Sequence, residues 1–301
     1  MSALRIDALP PEFNARVLRD VPMARHTSWH VGGPADYFFT PRDLMDLSAF
    51  LRQLPDSIPL LWIGLGSNLL VRDGGIRGAV ISTHGALNGL ERSSATRVNV
   101  GAGVPCVHLA KQCVKWGLGP ADFFAGIPGT VGGALAMNAG AWGGETWAHV
   151  IEVDVLDRRG VRHTRNRAEY EIGYRQAKGP QNEWFTAARM EFERRPAGND
   201  TGIRQMLDRR KQTQPIGEWS CGSVFTNPQG DHAARLIESA GLKGYRLGDA
   251  SVSEKHANFI INHGAARATD LEALIAHVQK TVMQHSQVML QTEVRIVGET
   301  A

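Results

Sequence analysis

GIPGTVGGALAMNAG, residues 126–140, is the stretch from which the rest of the chain is read. Gly126, Gly129, Gly132, Gly133 and Gly140 carry no side chain to hold a ligand off the main chain, and Pro128 stiffens the turn. The composition predicts a strip of bare peptide N–H groups able to receive a phosphate or diphosphate, helped by the positive end of any helix that starts there. Close packing of two backbones is the other reading of so much glycine. A flexible linker is excluded, because Ile127, Val131, Leu135 and Met137 make the stretch too apolar to be solvated.

Upstream, LLWIGLGSNLLVRDGG at 60–75 runs a short apolar strand, 60–63, into Gly64, Gly66, Ser67 and Asn68. Leu69 stands where a Rossmann fingerprint needs its third glycine, and no Walker lysine-serine pair occurs anywhere. Two glycine loops so far apart point to one long dinucleotide held between two lobes.

Around these loops the chain alternates. Leu44, Leu47, Phe50, Leu51 and Leu54 recur at helical spacing over 42–54. Short β-like runs follow at 78–82, 97–100, 150–156 and 184–192, with a helix expected over 104–117. On that helix Cys106 and Cys113 stand roughly 10 Å apart, beyond the ~7 Å Cα limit of a disulfide, and are expected to be core thiols with Cys221. PAGND, 196–200, is a hinge candidate before a polar, basic helix from about Thr201. Thr269 and Glu272 form a capping box ahead of Leu271, Leu274, Ile275, Val278 and Val282, so a helix is expected from about residue 270. A closing strand is expected over 288–297, with Val288, Leu290, Val294 and Ile296 on the buried face and Gln291, Glu293 and Arg295 on the other. On its own, Glu293 reads as a surface carboxylate, Ser223 as a turn serine and Arg175 as a salt-bridge residue.

The 301 residues suffice for two or three packed units, and 43% apolar content is ordinary for a globular protein. A net charge of +3 does not argue for nucleic acid. The local basic cluster Arg194, Arg195, Arg204, Arg209, Arg210 and Lys211 reads equally as a solvated face or as steering for an anionic nucleotide sugar. MSALRIDALPPEF has no apolar signal core, and no membrane span is visible, so a cytoplasmic address is expected. His26 and His30 are four apart, but Gly32, Gly33 and Pro34 follow at once, and no metal is expected. Ser223 lies in CGSVF rather than GxSxG, which gives no support to a hydrolase.

Seven motifs occur in one order: GLGSNLLV (64–71), GAG (101–103), GIPGTVGGALAMNAGA (126–141), GYR (173–175), CGSVFTNP (221–228), GLKGYRLGDASVSEKHANFIIN (241–262) and TEVRIVGE (292–299). Together, over nearly the whole chain, they resemble the UDP-N-acetylenolpyruvoylglucosamine reductases, and the short interval from Arg175 to Ser223 resembles that family's compact second type. The resemblance implies an α+β protein with a two-lobed FAD-binding unit of the PCMH/vanillyl-alcohol-oxidase type, its lobes over 1–77 and 78–197. A C-terminal α+β substrate-binding domain over 198–301 would complete it. It implies a monomer that reduces a nucleotide sugar with NADPH through non-covalent FAD. The family's cofactor contacts would fall on Gly64, Gly66, Ser67, Asn68, Leu69, Gly126, Ile127, Pro128, Gly129, Gly132, Gly133, Asn138, Gly140 and Ala141. Substrate contacts would fall on Lys211 and Asn227, and catalysis on Arg175, Ser223 and Glu293. Two other readings compete: a different flavin oxidase on the same scaffold, and a catalytically silent nucleotide-sugar binder.

Overall fold

The 42–54 periodicity becomes the helix Leu44–Gln53, which Asp43 caps by accepting the Asp46 N–H at 2.8 Å. Its inward residues Leu47, Phe50 and Leu51 pack with Phe13, Phe39 and Leu54, and the rings of Phe39 and Phe50 stack at 3.9 Å. The strand Leu60–Ile63 has the bounds read from its apolar run and pairs in parallel with Ile76–Ser82, Leu60 opposite Ala79.

The computed structural model describes residues 10–301; residues 1–9, most of the N-terminal stretch read for the lack of a signal core, lie outside the described residues. The chain forms two units. One comprises residues 10–18, 37–64 and 78–209, the other residues 19–36, 65–77 and 210–301. These units cut across the division at 77/78 and 197/198 made along the chain. Residues 19–36 and 65–77 belong with the C-terminal part, because Trp29, Val31 and Leu70 are buried in its core.

In the first unit a five-stranded antiparallel sheet runs in the order Arg162–Asn166, Val150–Asp157, Glu183–Glu191, Arg97–Gly101, Leu90–Arg92. The helix Cys106–Trp116 buries Cys106, Leu109, Ala110 and Cys113 in the same core as Val98, Val153 and Met190. Gly117, in the left-handed region at φ 65°, ends it. All three cysteines are free and buried, and burial pushes the Cys113 thiol up to about 12 and the other two upward as well. They are core thiols, as expected.

The second unit is built around the helix Ala268–Ser286, whose Leu271, Leu274, Ile275, Val278 and Val282 are all buried. A three-stranded antiparallel sheet, Arg246–Leu247, Ala250–Val252 and Ile260–Asn262, covers it. Trp29, fully buried, donates from Nε1 to the Ile260 carbonyl at 2.8 Å, and Asn262 Nδ2 donates to the Trp29 carbonyl. Both units mix helix and sheet, and the α+β class holds.

Two local readings are corrected. The helix at 268 is not started by a Thr269–Glu272 box. Asp73 accepts the N–H groups of Ala268 and Thr269 and the Thr269 hydroxyl, Asp270 accepts the Arg267 N–H at 2.9 Å, and Glu272 pairs with Arg72 at 2.7 Å. The closing strand is only Arg295–Val297, paired in parallel with Leu69–Val71. The residues before it form no regular strand and are joined by an isolated bridge, Phe225 with Thr292, and the Leu290 carbonyl is taken by Gln279 Nε2 at 2.9 Å. Leu290 and Val294 are buried as the alternation predicted.

The capping carboxylate of Asp73 gives a first prediction. Burial alone would raise it, but the hydrogen bonds from Thr269 and Ala268 outweigh that and hold it below the usual carboxylate range. A depressed folded value means stability present above the unfolded value and lost as the pH falls. Asp73→Ala should cost about 1–2 kcal/mol at neutral pH, and the gap to wild type should close as the pH falls below the ordinary aspartate range. Thermal melts across that pH range test it. No helix among the described residues is long and apolar enough to cross a membrane.

Candidate functional site

In the first unit three glycine segments meet at one threonine. Thr130 caps the short helix Val131–Ala136 through its hydroxyl and is buried. A Cβ on Gly64 would lie 2.3 Å from Thr130 Oγ1, and one on Gly132 would lie 3.0 Å from the Cβ of Ala102, in the 101–103 motif. Main-chain bonds close the same junction, Val131 N–H to Val104 O at 2.9 Å and Gly132 N–H to Ala102 O at 2.8 Å. Glycine here lets backbones approach one another.

The strip is therefore less bare than its composition suggested. The N–H groups of Ile127, Gly129, Val131, Gly132, Ala134, Met137, Asn138 and Ala139 all donate to carbonyls of this unit. Gly140 faces the Gly144 carbonyl, 2.3 Å from where a Cβ would sit, and Ala141 pairs with Gly144. Ile127 is buried. Gly133 differs: it is exposed, its Cβ position is open to 3.9 Å, and its N–H makes only a 3.5 Å contact with Thr130 Oγ1. Pro128, five residues before it, is exposed as well.

Asn138 has its side chain turned inward. It is fully buried with φ 41°, its Nδ2 donates to Glu145 Oε2 and to Gly173 O at 3.0 Å each, and its Oδ1 accepts the Trp147 N–H at 3.1 Å. The side chain is engaged inside the protein and tethers the GYR hairpin. In that hairpin Gly173 pairs with Gln176, leaving Tyr174 and Arg175 as the turn. Arg175 has φ 55° and sends Nη2 to the Gly140 carbonyl at 3.1 Å, with its guanidinium 5.1 Å from the Tyr174 ring centroid. A bulky residue held in the left-handed region at a turn is what an imposed side-chain direction looks like. Asn138→Ala removes the bonds to Gly173 and Trp147 together and should destabilise the protein by about 2–4 kcal/mol. Urea midpoints measure it, and a change below 1 kcal/mol would contradict the tether.

In the second unit the 221–228 and 291–294 segments run side by side. Val224 O accepts the N–H of Glu293 at 2.8 Å and of Val294 at 3.3 Å, and Thr226 N–H donates to Gln291 O at 2.9 Å. Gly222, at φ 81° with nothing within 4 Å of its Cβ position, turns the chain so that Ser223 follows, half-buried. The serine and the glutamate, distant in sequence, thus share a neighbour. Asn258, buried in the KHANF motif, fixes this pair of segments by bonding both polar groups of Phe225. Nothing but its place in that motif singles it out in the sequence.

The 65–69 loop joins the same cluster. Gly66 has φ 62° and packs so tightly that a Cβ would fall 1.9 Å from the His26 carbonyl. Ser67 is half-buried, and Asn68 donates to the Glu293 carbonyl at 3.1 Å. Leu69 is a buried strand residue opposite Arg295, so its side chain belongs to the core and not to a ligand. Asn227 Oδ1 accepts the Ala233 N–H at 3.0 Å, and Lys211 is exposed, its carbonyl receiving Lys255 Nζ at 2.5 Å.

Comparison with known proteins gives a consistent result. Residues 35–165 match an FAD binding domain family, and residues 214–297 match the C-terminal domain of UDP-N-acetylenolpyruvoylglucosamine reductase. A UDP-N-acetylenolpyruvoylglucosamine reductase of Alkalilimnicola ehrlichii is 56% identical over 92% of this chain and 93% of its own length. One from Methylococcus capsulatus is 53% identical, covering 94% of this chain and 93% of its own. Among solved structures, the UDP-N-acetylenolpyruvylglucosamine reductase of Thermus caldophilus superposes with a TM-score of 0.78 at 34% identity, covering 93% of this chain and 98% of that one.

Proposed function

The chain belongs to the UDP-N-acetylenolpyruvoylglucosamine reductase family, and on that premise we propose which of its residues carry the reaction. It is an FAD-dependent oxidoreductase that reduces UDP-N-acetylenolpyruvoylglucosamine to UDP-N-acetylmuramate with NADPH, in peptidoglycan precursor synthesis. FAD, when bound, relays a hydride from NADPH to the terminal carbon of the enol ether. The residues fit such a group: exposed Gly133 leaves an uncovered main-chain face, and no histidine or cysteine stands in GLGSNLLV for covalent attachment. Gly64, Gly129, Gly133, Gly66 and Ser67 are the positions we assign to it.

Hydride addition pushes negative charge onto the neighbouring carboxylate as an enediolate, and that charge must be met. Arg175 offers a permanent positive fork to the carboxylate oxygens. Glu293, in its protonated form, donates a hydrogen bond to the same oxygens. Ser223 delivers the proton that completes the product at the α-carbon, and the strong basicity of the enediolate makes a hydroxyl acidic enough for the task. Lys211 and Asn227 are assigned to the nucleotide sugar. The observation that carries this reading is the main-chain pairing of 224–226 with 291–294, which brings the segment that follows Ser223 against the one that holds Glu293. We assign the enzyme to the cytoplasm as a monomer, in cell-wall synthesis and through it cell shape and division.

The test is direct. The purified protein should be yellow and should oxidise NADPH only when UDP-N-acetylenolpyruvoylglucosamine is present. Rapid oxidation of NADPH by dioxygen without that substrate would favour the flavin-oxidase reading, and binding of the nucleotide sugar without turnover would favour the silent binder.

A further inference from the structure

We infer that the side chain of Asn68 is a positioning residue for Glu293, holding the acid's own peptide group, and not a ligand of the cofactor. The inference rests on the role proposed above for Glu293.

Glu293 lies at the point where an irregular stretch enters a ladder. Before it, residues 291 and 292 are joined to 225 and 226 by a single bridge and one main-chain bond. After it, Arg295–Val297 pairs in parallel with Leu69–Val71. Its N–H donates to Val224 O at 2.8 Å, and its carbonyl accepts Asn68 Nδ2 at 3.1 Å. The Asn68 carbonyl in turn accepts the Arg295 N–H at 3.1 Å, so Asn68 grips the chain on both sides of Val294. Fixing the N–H and the C=O of one residue fixes φ and ψ, and with them the direction in which the side chain leaves the backbone. The serine segment supplies one anchor and the glycine loop the other. Glu293 is half-buried, and in its proposed role the carboxyl must meet a developing charge within hydrogen-bond reach, where small displacements are costly.

Aspartate at 68 keeps the shape and replaces the donor with an acceptor facing the Glu293 carbonyl. Asn68→Asp should therefore retain FAD and keep NADPH-driven flavin reduction within about twofold of wild type, while substrate-driven reoxidation slows about tenfold or more through kcat rather than KM. Combined with Glu293→Gln, it should add little to the loss from Glu293→Gln alone. Asn68→Ser, whose hydroxyl is too short to reach the carbonyl, should behave like Asn68→Asp. Folded protein lacking flavin, or equal slowing of both half-reactions, would make Asn68 a cofactor ligand and overturn the inference. So would failure of both variants to fold, which would make Asn68 a folding residue only. If Glu293→Gln itself reoxidises at the wild-type rate, the role of Glu293 falls. If Glu293→Gln is slow and the Asn68 variants are not, only the present inference falls.

Discussion

Alanine at Ser223 is expected to leave reduction of the flavin by NADPH close to the wild-type rate and to slow its reoxidation by the enolpyruvyl substrate by about 10²–10⁴-fold, the range seen when a positioned proton donor is lost. The split follows from where the hydroxyl acts. In the role proposed for it, Ser223 completes the product after hydride addition and has no part in the first half-reaction; Gly222 at φ 81° sets the turn without needing the hydroxyl, so the fold should tolerate alanine. Stopped-flow traces with each partner alone separate the two rates. Equal loss in both would remove Ser223 from the chemistry and turn it into a residue of the flavin pocket.

Gly66→Ala and Gly133→Ala should fail in opposite ways. At Gly66 the backbone is in the left-handed region and the added Cβ would meet the main-chain carbonyl of His26 at 1.9 Å, which no rotamer change relieves. A loss of about 3 kcal/mol or more is expected, a fall in Tm of roughly 6–12 °C, and the 65–69 loop would be lost with it. At Gly133 the Cβ enters open space on an exposed turn of helix, where alanine is the better residue. The apoprotein should be as stable as wild type or slightly more so, while FAD binds about tenfold more weakly or worse because a methyl occupies the open face. Unchanged flavin affinity in Gly133→Ala would place the diphosphate elsewhere.

Much of the architecture could be read from spacing alone, since the 44–53 helix, the 60–63 strand and the 106–116 helix are set by nearby apolar residues that any packing partner would bury. What the sequence concealed depends on partners far along the chain. Thr269 and Glu272 carry the local signature of a cap, but Asp73 and Arg72 take those groups instead, and only the fold brings them there. The alternation over 288–297 holds for Leu290 and Val294, which are buried, while Val288 and Ile296 are half-buried; a ladder needs a continuous neighbour, and the Leu290 carbonyl finds Gln279 first. The glycine run has the composition both of a ligand cradle and of a close backbone junction, and most of its N–H groups close a junction within the protein. Composition reports that a backbone can be approached; it does not report what approaches it. Arg175, Ser223 and Glu293 were unremarkable as residues and were legible only as members of ordered motifs.

The parallel pairing of Leu69–Val71 with Arg295–Val297 sets a timetable for biosynthesis. Every segment of the first unit has been translated once residue 209 is made, whereas the second unit keeps residues 19–36 and 65–77 waiting until the ribosome has added 295–297. The loop carrying Gly66 and Asn68 can therefore take its final pairing only after residues 295–297 have been made.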